Sequence, residues 1–384
     1  MARAIAAASE TGRAALAVER LALRDFRNYA RLELEAPCAP VVLVGPNGAG
    51  KTNLLEAISL LAPGRGLRRA ELAALDRAPD GGPWAIAARL SGRHGPFELL
   101  LARDPEHGRR RVLLDGRPLE DRAHRAELVA VSWLTPAEDR LFLEGPAERR
   151  RFLDRLTLSF DPGHAAVAAS YERLLRDRST LLRSGRPDPD WLAALEARIA
   201  AFGVAVAAAR RQLVAALERM GPETVPGLPA VALRLEGDVE AWLEEEPAAA
   251  VEERLARALR ESRGRDAETG GAAVGPHRSD LLVFDRASGA PAAACSTGRQ
   301  KILLLALVLA HARLRERLVG ELPVLLLDEV CAHLDKDKRA ALARALLDLG
   351  GQVWLSGTEP ELFATLRGRA LFLHVENGTI RSDE

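Results

Sequence analysis

The residues Gly45-Pro46-Asn47-Gly48-Ala49-Gly50-Lys51-Thr52 fit the pattern G-x-x-x-x-G-K-T, the spacing of a phosphate-binding loop. Glycines let successive backbone N–H groups turn inward around phosphate oxygens, and a helix opening at the loop adds its partial positive charge. Lys51 would reach the β- and γ-phosphates of a nucleoside triphosphate, and the Thr52 hydroxyl would ligate Mg²⁺. Far along the chain, Asp328-Glu329 closes the apolar run Val324-Leu325-Leu326-Leu327. Asp328 would complete the metal shell begun by Thr52, and Glu329 would point at an attacking water as general base. In Cys295-Ser296-Thr297-Gly298-Arg299-Gln300-Lys301, Ser296 and Gly298 sit where a helix N-terminus could grip an anion.

These groups need elements to hold them. Val41-Val42-Leu43-Val44 reads as a buried strand feeding the loop, and Asn53 to Leu61 continues at helical spacing. Val324–Asp328 has the continuous apolar character of a buried parallel strand, whose C-terminal end is where a doubly wound sheet places its ligand. Gly298 to Val319 and Lys336–Leu349 read as helices, Gln352–Leu355 and Leu371–Val375 as strands. Earlier, Val18 to Leu23, Leu32–Glu35, Trp84–Leu90, Phe97–Ala102, Arg111–Leu114 and Leu128–Trp133 have strand character, and Asp115-Gly116 is a hairpin turn pair. From about Glu148 to Met220 the strand signal gives way to helical spacing, interrupted at Pro187 and Pro189. Gly221–Pro229 reads as a linker, 231–235 as a strand, 249–261 as a charged helix, 264–275 as a mobile loop and 281–284 as a strand.

The class is α/β, with four expected segments: a flexible N-terminal extension (1–17), the first part of a nucleotide-binding domain (18–147), a mainly helical lobe (148–265) and the rest of the nucleotide-binding domain (266–384). At 384 residues the chain exceeds what one core usually supports. With 54 basic and 54 acidic residues, contact with nucleic acid has to come from a local patch rather than overall charge. Cys38, Cys295 and Cys331 lack metal-ligand spacing and read as residues of a reducing compartment. The longest apolar run, 302–310, is too short to span a bilayer, and residues 1–17 have no sustained apolar core of a signal peptide. A cytoplasmic protein without membrane contact is expected.

The order of motifs resembles the ABC-type ATPases. That resemblance implies that Ser296, Gly298 and Gln300 form a signature contacting nucleotide held by a second copy. It also implies that Leu334-Asp335 is the loop after the acidic strand, with Asp335 near nucleotide, and that Thr358 of Ser356-Gly357-Thr358 stands where a switch histidine is usual. Further blocks are similar to the RecF family of SMC-related ATPases: Leu23-Arg24-Asp25-Phe26-Arg27-Asn28-Tyr29; Trp133-Leu134-Thr135-Pro136 with Glu138-Asp139; Gly145-Pro146 and Arg149-Arg150-Arg151-Phe152-Leu153-Asp154; and Gly275-Pro276-His277-Arg278-Ser279-Asp280-Leu281, where Ser279 replaces the family's first Asp. The resemblance runs from about residue 18 to 380. It implies an ABC-type P-loop ATPase head, a mixed sheet with helices, carrying an inserted helical arm lobe. It further implies ATP and Mg²⁺ as cofactors and an ATP-driven head-to-tail homodimer. Turnover would be slow and DNA-stimulated, on single- and double-stranded, gapped DNA. RecO- and RecR-type mediators would be partners in loading RecA, with roles in replication restart and the SOS response.

Arg65, Arg68, Arg69 and Arg149, Arg150, Arg151 are the candidate phosphate contacts to DNA; the second group could instead pair with Glu148 and Asp154. Three other classes fit less of the chain. A small-molecule kinase leaves the 296–301 signature without a role. A transporter's ATPase subunit leaves the RecF-like blocks without one. A long SMC-like bridge needs a longer arm.

Overall fold

The computed structural model describes residues 14–77, 81–184, 188–221 and 224–382. They form two compact units. The first takes the described residues up to Arg140, 224–230, and Cys295 onward; the second takes Leu141–Gly221 and Val231–Ala294.

Among the described residues the first unit has two six-stranded sheets. In one, the order is Thr379–Ser382, Leu371–Glu376, Val41–Val44, Val353–Gly357, Val324–Leu327, Val131–Leu134. The last five run parallel and only the edge strand is antiparallel. The central strands Val41–Val44, Val324–Leu327 and Val353–Gly357 are buried at every position, as strands covered on both faces must be. The second sheet is antiparallel: Tyr29–Glu35, Ala17–Phe26, Ala85–Gly92, Gly95–Arg103, Arg110–Leu114, Arg117–Pro118. Its strand Ala17–Phe26 alternates in part between covered and open positions, the pattern of a sheet with one face on the core. The helix Lys51–Leu61 is buried almost all round, and one hydrophobic cluster joins its Leu54, Leu55 and Ile58 to Leu21, Ile86 and Leu99 of the antiparallel sheet and Val41, Leu326 and Trp354 of the parallel one.

The second unit is mainly helical, built on Pro146–Thr157, His164–Arg183, Pro189–Met220 and Ala248–Glu261, with an antiparallel pair Val231–Glu236 and Asp280–Asp285. Pro189–Met220 is long and apolar enough to cross a membrane by length and composition. Alanines between its larger apolar residues raise its mean hydropathy, which a search for unbroken apolar runs does not register. Its Ile199, Ala200, Val204 and Ala207 belong to the unit's core, and it holds Glu196 and Arg210 in ion pairs.

Several expectations are corrected. Ala14–Ala15 pairs in parallel with Glu321–Leu322, and Leu16 is fully buried, so 14–17 are not a flexible extension; 1–13 lie outside the described residues, as does Pro187. The stretch 264–275 contains a helix, Arg263–Thr269. The fully buried Arg178 anchors it, donating to Asp266 at 2.8 Å and to Glu196 at 3.0 Å. Glycine-rich composition suggested a loop there, and a long-range ion pair overrode it. The strand expected at Leu128–Trp133 is present but begins later, at Val131–Leu134, and Leu128 is the last residue of a helix, Arg122–Leu128. The unit boundaries fall at 140/141 and 294/295 rather than 147/148 and 265/266, because Asp280–Asp285 pairs with Val231–Glu236 and so stays with the helices.

Candidate functional site

The phosphate loop leaves the end of Val41–Val44 and enters Lys51–Leu61. Gly50 caps that helix at φ 118° without a side-chain hydrogen bond, so no side chain occupies the cap position. A Cβ at Gly50 would come within 2.5 Å of Asn28 Nδ2, and one at Gly45 within 2.1 Å of the Val375 carbonyl oxygen; only glycine fits either place. Lys51 is nearly buried and folds back over its own loop, donating to the carbonyls of Gly45 at 2.7 Å and Pro46 at 2.8 Å. Burial lowers the pKa of its ammonium below the usual lysine value, against the opposing pull of Glu329 and Asp328.

Sheet order explains how residues 276 positions apart meet. Val353–Gly357 lies between Val41–Val44 and Val324–Leu327, and all three run parallel, so their C-terminal ends share one edge. There the Thr52 hydroxyl donates to both Asp328 oxygens, at 2.9 and 3.1 Å. Two adjacent hard oxygen donors, one a carboxylate, suit Mg²⁺. The free helix cap and positive-φ glycines suit a polyphosphate, so the residues present fit both groups.

Glu329 occupies the left-handed region at φ 50°, uncommon for a non-glycine residue and sustained only where neighbours over-determine it. Its N–H donates to Ser356 Oγ at 2.8 Å, and its carbonyl accepts from Lys301 Nζ at 3.2 Å. Lys301 is held in turn by Asp139 at 2.9 Å. Ser356, fully buried, donates its own hydroxyl proton to Asp328 Oδ1. One serine thus links the metal-binding carboxylate to the backbone of the residue expected to be the base.

The structure brings Gly45 to Thr52, Asp328 and Glu329 together. Thr358 is exposed beyond the strand end, and the contact to the acidic pair comes from Ser356, two residues earlier and still inside the buried strand Val353–Gly357. Ser296 is the exposed N-cap of the helix Thr297–Val319, with no side-chain cap bond, and Gly298 lies near Lys338 Nζ and the His333 carbonyl. Gln300 is buried and donates to the Cys295 carbonyl at 2.8 Å, which makes it a brace of its own loop. Asp335 caps Lys336–Leu349, accepting from Lys338 N at 2.9 Å and Lys338 Nζ at 2.6 Å; the Lys338 hydrogen bond lowers its pKa. Its carboxylate is engaged within its own helix.

Of the candidate DNA contacts, Arg65 and Arg69 are exposed. Arg68 donates to Asn53 at 2.6 Å and Glu56 at 3.3 Å. Arg149 grips Asp280 with two bonds, at 2.7 and 2.8 Å. Arg150 donates to the Ser279 carbonyl at 2.7 Å, and the exposed Arg151 pairs with Glu148. Arg149 and Arg150 are therefore structural groups of the helical unit. Ser279, fully buried, donates to Glu240. Burial raises the Glu240 pKa, and a second carboxyl at 279 would face it, which gives the serine its reason.

Sequence reading assigned no role to Asn28 and Tyr29. They end the hairpin between Ala17–Phe26 and Tyr29–Glu35 and touch the phosphate loop. Asn28 Nδ2 donates to the Ala49 carbonyl, Tyr29 OH to the Gly50 carbonyl (both 3.0 Å), and Asn53 Nδ2 to Asn28 Oδ1 at 2.7 Å. The signal available was two polar-tipped residues at the turn of a hairpin beside the nucleotide strand.

Residues 17–379 match the family model described as the RecF/RecN/SMC N terminal domain. The chain is 48% identical to DNA replication and repair protein RecF of Mesorhizobium japonicum, over 96% of this chain and 98% of that one. The chain belongs to the RecF family. RecF of Rhizobium etli is 44% identical over 95% of this chain and 98% of its own. Among solved structures, the recombination mediator protein RecF-ATPrS in the RecFOR pathway has TM-score 0.84 at 22% identity, covering 97% of this chain and 99% of that one. An Smc head domain derived from Pyrococcus furiosus, with an extended coiled coil and bound to the C-terminal domain of ScpA, has TM-score 0.54 at 16% identity, over 96% of both chains. The fold is thus the ABC-type ATPase head shared by RecF and SMC proteins, here with a helical unit inserted in the chain.

Proposed function

We infer that this chain is an ATP-binding, slowly hydrolysing DNA-binding protein of recombinational repair and replication restart. The observation that carries the reading is the Thr52–Asp328 pair at the mouth of the phosphate loop, with Glu329 beside it. When bound, ATP·Mg²⁺ supplies the phosphoanhydride to be cleaved and the cation that offsets its charge. Gly45 to Thr52 bind the phosphates through backbone amides, Lys51 neutralises them, and Thr52 with Asp328 holds the metal. Glu329, fixed at its backbone by Ser356 and Lys301, would accept the proton of the attacking water at a carboxylate oxygen.

Ser296 and Gly298 present a helix start suited to a phosphate, and in an ABC-type pair that phosphate belongs to the nucleotide of a second copy. Nucleotide would therefore join two chains, with Gln300 and Asp335 shaping the surfaces that meet. DNA binding, action alongside RecR- and RecO-type mediators on gapped DNA, and a cytoplasmic location belong to the same reading, which the relatives named DNA replication and repair protein RecF and the recombination mediator RecF of the RecFOR pathway support. The test is oligomeric state by light scattering with ATP, Mg²⁺ and DNA. Wild type should dimerise and Lys51→Met should stay monomeric; a wild type that remains monomeric, or a Lys51→Met variant that dimerises, overturns the reading.

A further inference from the structure

Downstream of the phosphate loop, three arginines come together, and the neighbouring charges that act on Arg110 and Arg125 are arginines. Arg110 opens the strand Arg110–Leu114, and its Nη2 donates to the Gly64 carbonyl at 2.8 Å. Arg122 and Arg125 stand one turn apart on Arg122–Leu128, the spacing at which like charges on a helix repel. Arg125 is 3% exposed, and its Nε and Nη1, with Nη1 of Arg110, are buried with no hydrogen-bond partner among the described residues. Burial, then the neighbouring charges of Arg110 and Arg122, pushes Arg125 down to about 9; burial, then Arg122, lowers Arg110. Of the neighbouring carboxylates, Asp121 caps the helix through Ala123 N and Glu127 lies 3.8 Å from His124.

A buried guanidinium without a partner costs stability unless an anion completes it. Two features favour phosphate. Guanidinium forks match phosphate oxygens in pairs, and the positive surface continues through the exposed Arg65, next to the Gly64 that Arg110 holds, and through the exposed Arg122. A row of cations of this kind suits a polyanion better than a single small ion.

We propose that Arg110, Arg122 and Arg125 form a phosphate seat in the first unit that takes a backbone phosphodiester of a nucleic acid strand. This rests on the reading that the chain binds DNA. The seat is separate from the nucleotide loop, so ATP affinity serves as a control.

The experiment compares wild type, Arg122→Gln and Arg125→Met by melting temperature, ATP affinity, and binding of a gapped oligonucleotide duplex across a salt series. Arg125→Met removes an unpaired buried charge at similar volume. It should melt about 2–4 °C higher while binding DNA several-fold more weakly. Arg122→Gln, at an exposed position, should leave melting unchanged and reduce the salt slope of DNA binding by about one. Both should bind ATP as wild type does. Unchanged DNA affinity and slope in both variants, with DNA still bound by wild type, would overturn the seat. So would a lower melting temperature for Arg125→Met, which would make Arg125 a structural cation. A wild type that fails to bind DNA at all would instead sink the broader reading. If inorganic phosphate raises the melting temperature of wild type but not of Arg125→Met while DNA affinity is equal in both, the seat takes a free anion and the nucleic acid proposal fails.

Discussion

Most buried charges of the helical unit are treated differently from the charged groups at the candidate ligand sites of the first unit. In the helical unit they satisfy one another. Arg178 is shared between Glu196, Asp266 and the Leu259 carbonyl, and Arg263 adds two bonds to Glu196. Asp154 receives both Arg210 and His164. The first unit has closed pairs as well, Arg315 with Glu321 and Arg27 with Glu56, but its groups at the nucleotide loop and Arg125 are left with capacity to spare. Lys51 rests on carbonyls of its own loop, Thr52 on Asp328, and Arg125 on no carboxylate among the described residues. A closed network fixes a fold, whereas groups held in place with unused bonding capacity are poised for a ligand. The strained backbone lies on the ligand side too: Glu329 sits at φ 50°, held by Ser356 and Lys301.

Three measurements could break or sharpen that contrast. The largest effect is expected at Glu329. Glu329→Gln should lower ATP turnover by about 10²–10⁴-fold with nucleotide binding retained; turnover within a few-fold of wild type in single-turnover kinetics would remove it as the base. Next is Arg178→Ala, which takes the ion pair from buried Asp266 and leaves buried Glu196 with Arg263 alone, and should cost about 3–5 kcal/mol in urea unfolding. A loss under about 1 kcal/mol would mean the closed network is not what holds that unit together.

The smallest effect is on acid stability. Burial alone would raise the Asp154 carboxyl, but the hydrogen bonds from His164 and Arg210 outweigh it and hold the pKa at about 2. A carboxyl depressed on folding contributes stability above its unfolded pKa of roughly 3.9, and that contribution is lost as pH falls from about 4 towards 2. The amount is roughly 2 kcal/mol. Asp154→Asn should therefore show a flatter decline in that window, measured as unfolding free energy against pH. A decline as steep as that of wild type would show that Asp154 does not set it.

The phosphate loop and the acidic strand were legible because their determinants are local. A glycine spacing and an unbroken apolar run ending in carboxylates carry the chemistry in a few consecutive residues. The helix Arg263–Thr269 was not legible, since its composition favours a loop and a salt bridge from Arg178 on another helix decides its conformation. Ser356 was obscured in a different way. The motif Ser356-Gly357-Thr358 marked the right place, but which of its hydroxyls faces Asp328 depends on how Val353–Gly357 sits between its two neighbours.

The sequence by itself determined the nucleotide chemistry, the class of fold and the family resemblance, because loop geometry, strand burial and their order are written in short-range patterns. Only the tertiary structure decided which charges are spent and which remain available. Arg149, Gln300 and Asp335 were candidates for DNA or nucleotide and are engaged within the chain, while Arg125 looked ordinary and is buried with its Nε and Nη1 unpartnered among the described residues. The physical reason is that a charge's role depends on whether an opposite charge lies within a few ångströms, and chain folding brings residues hundreds of positions apart to that distance.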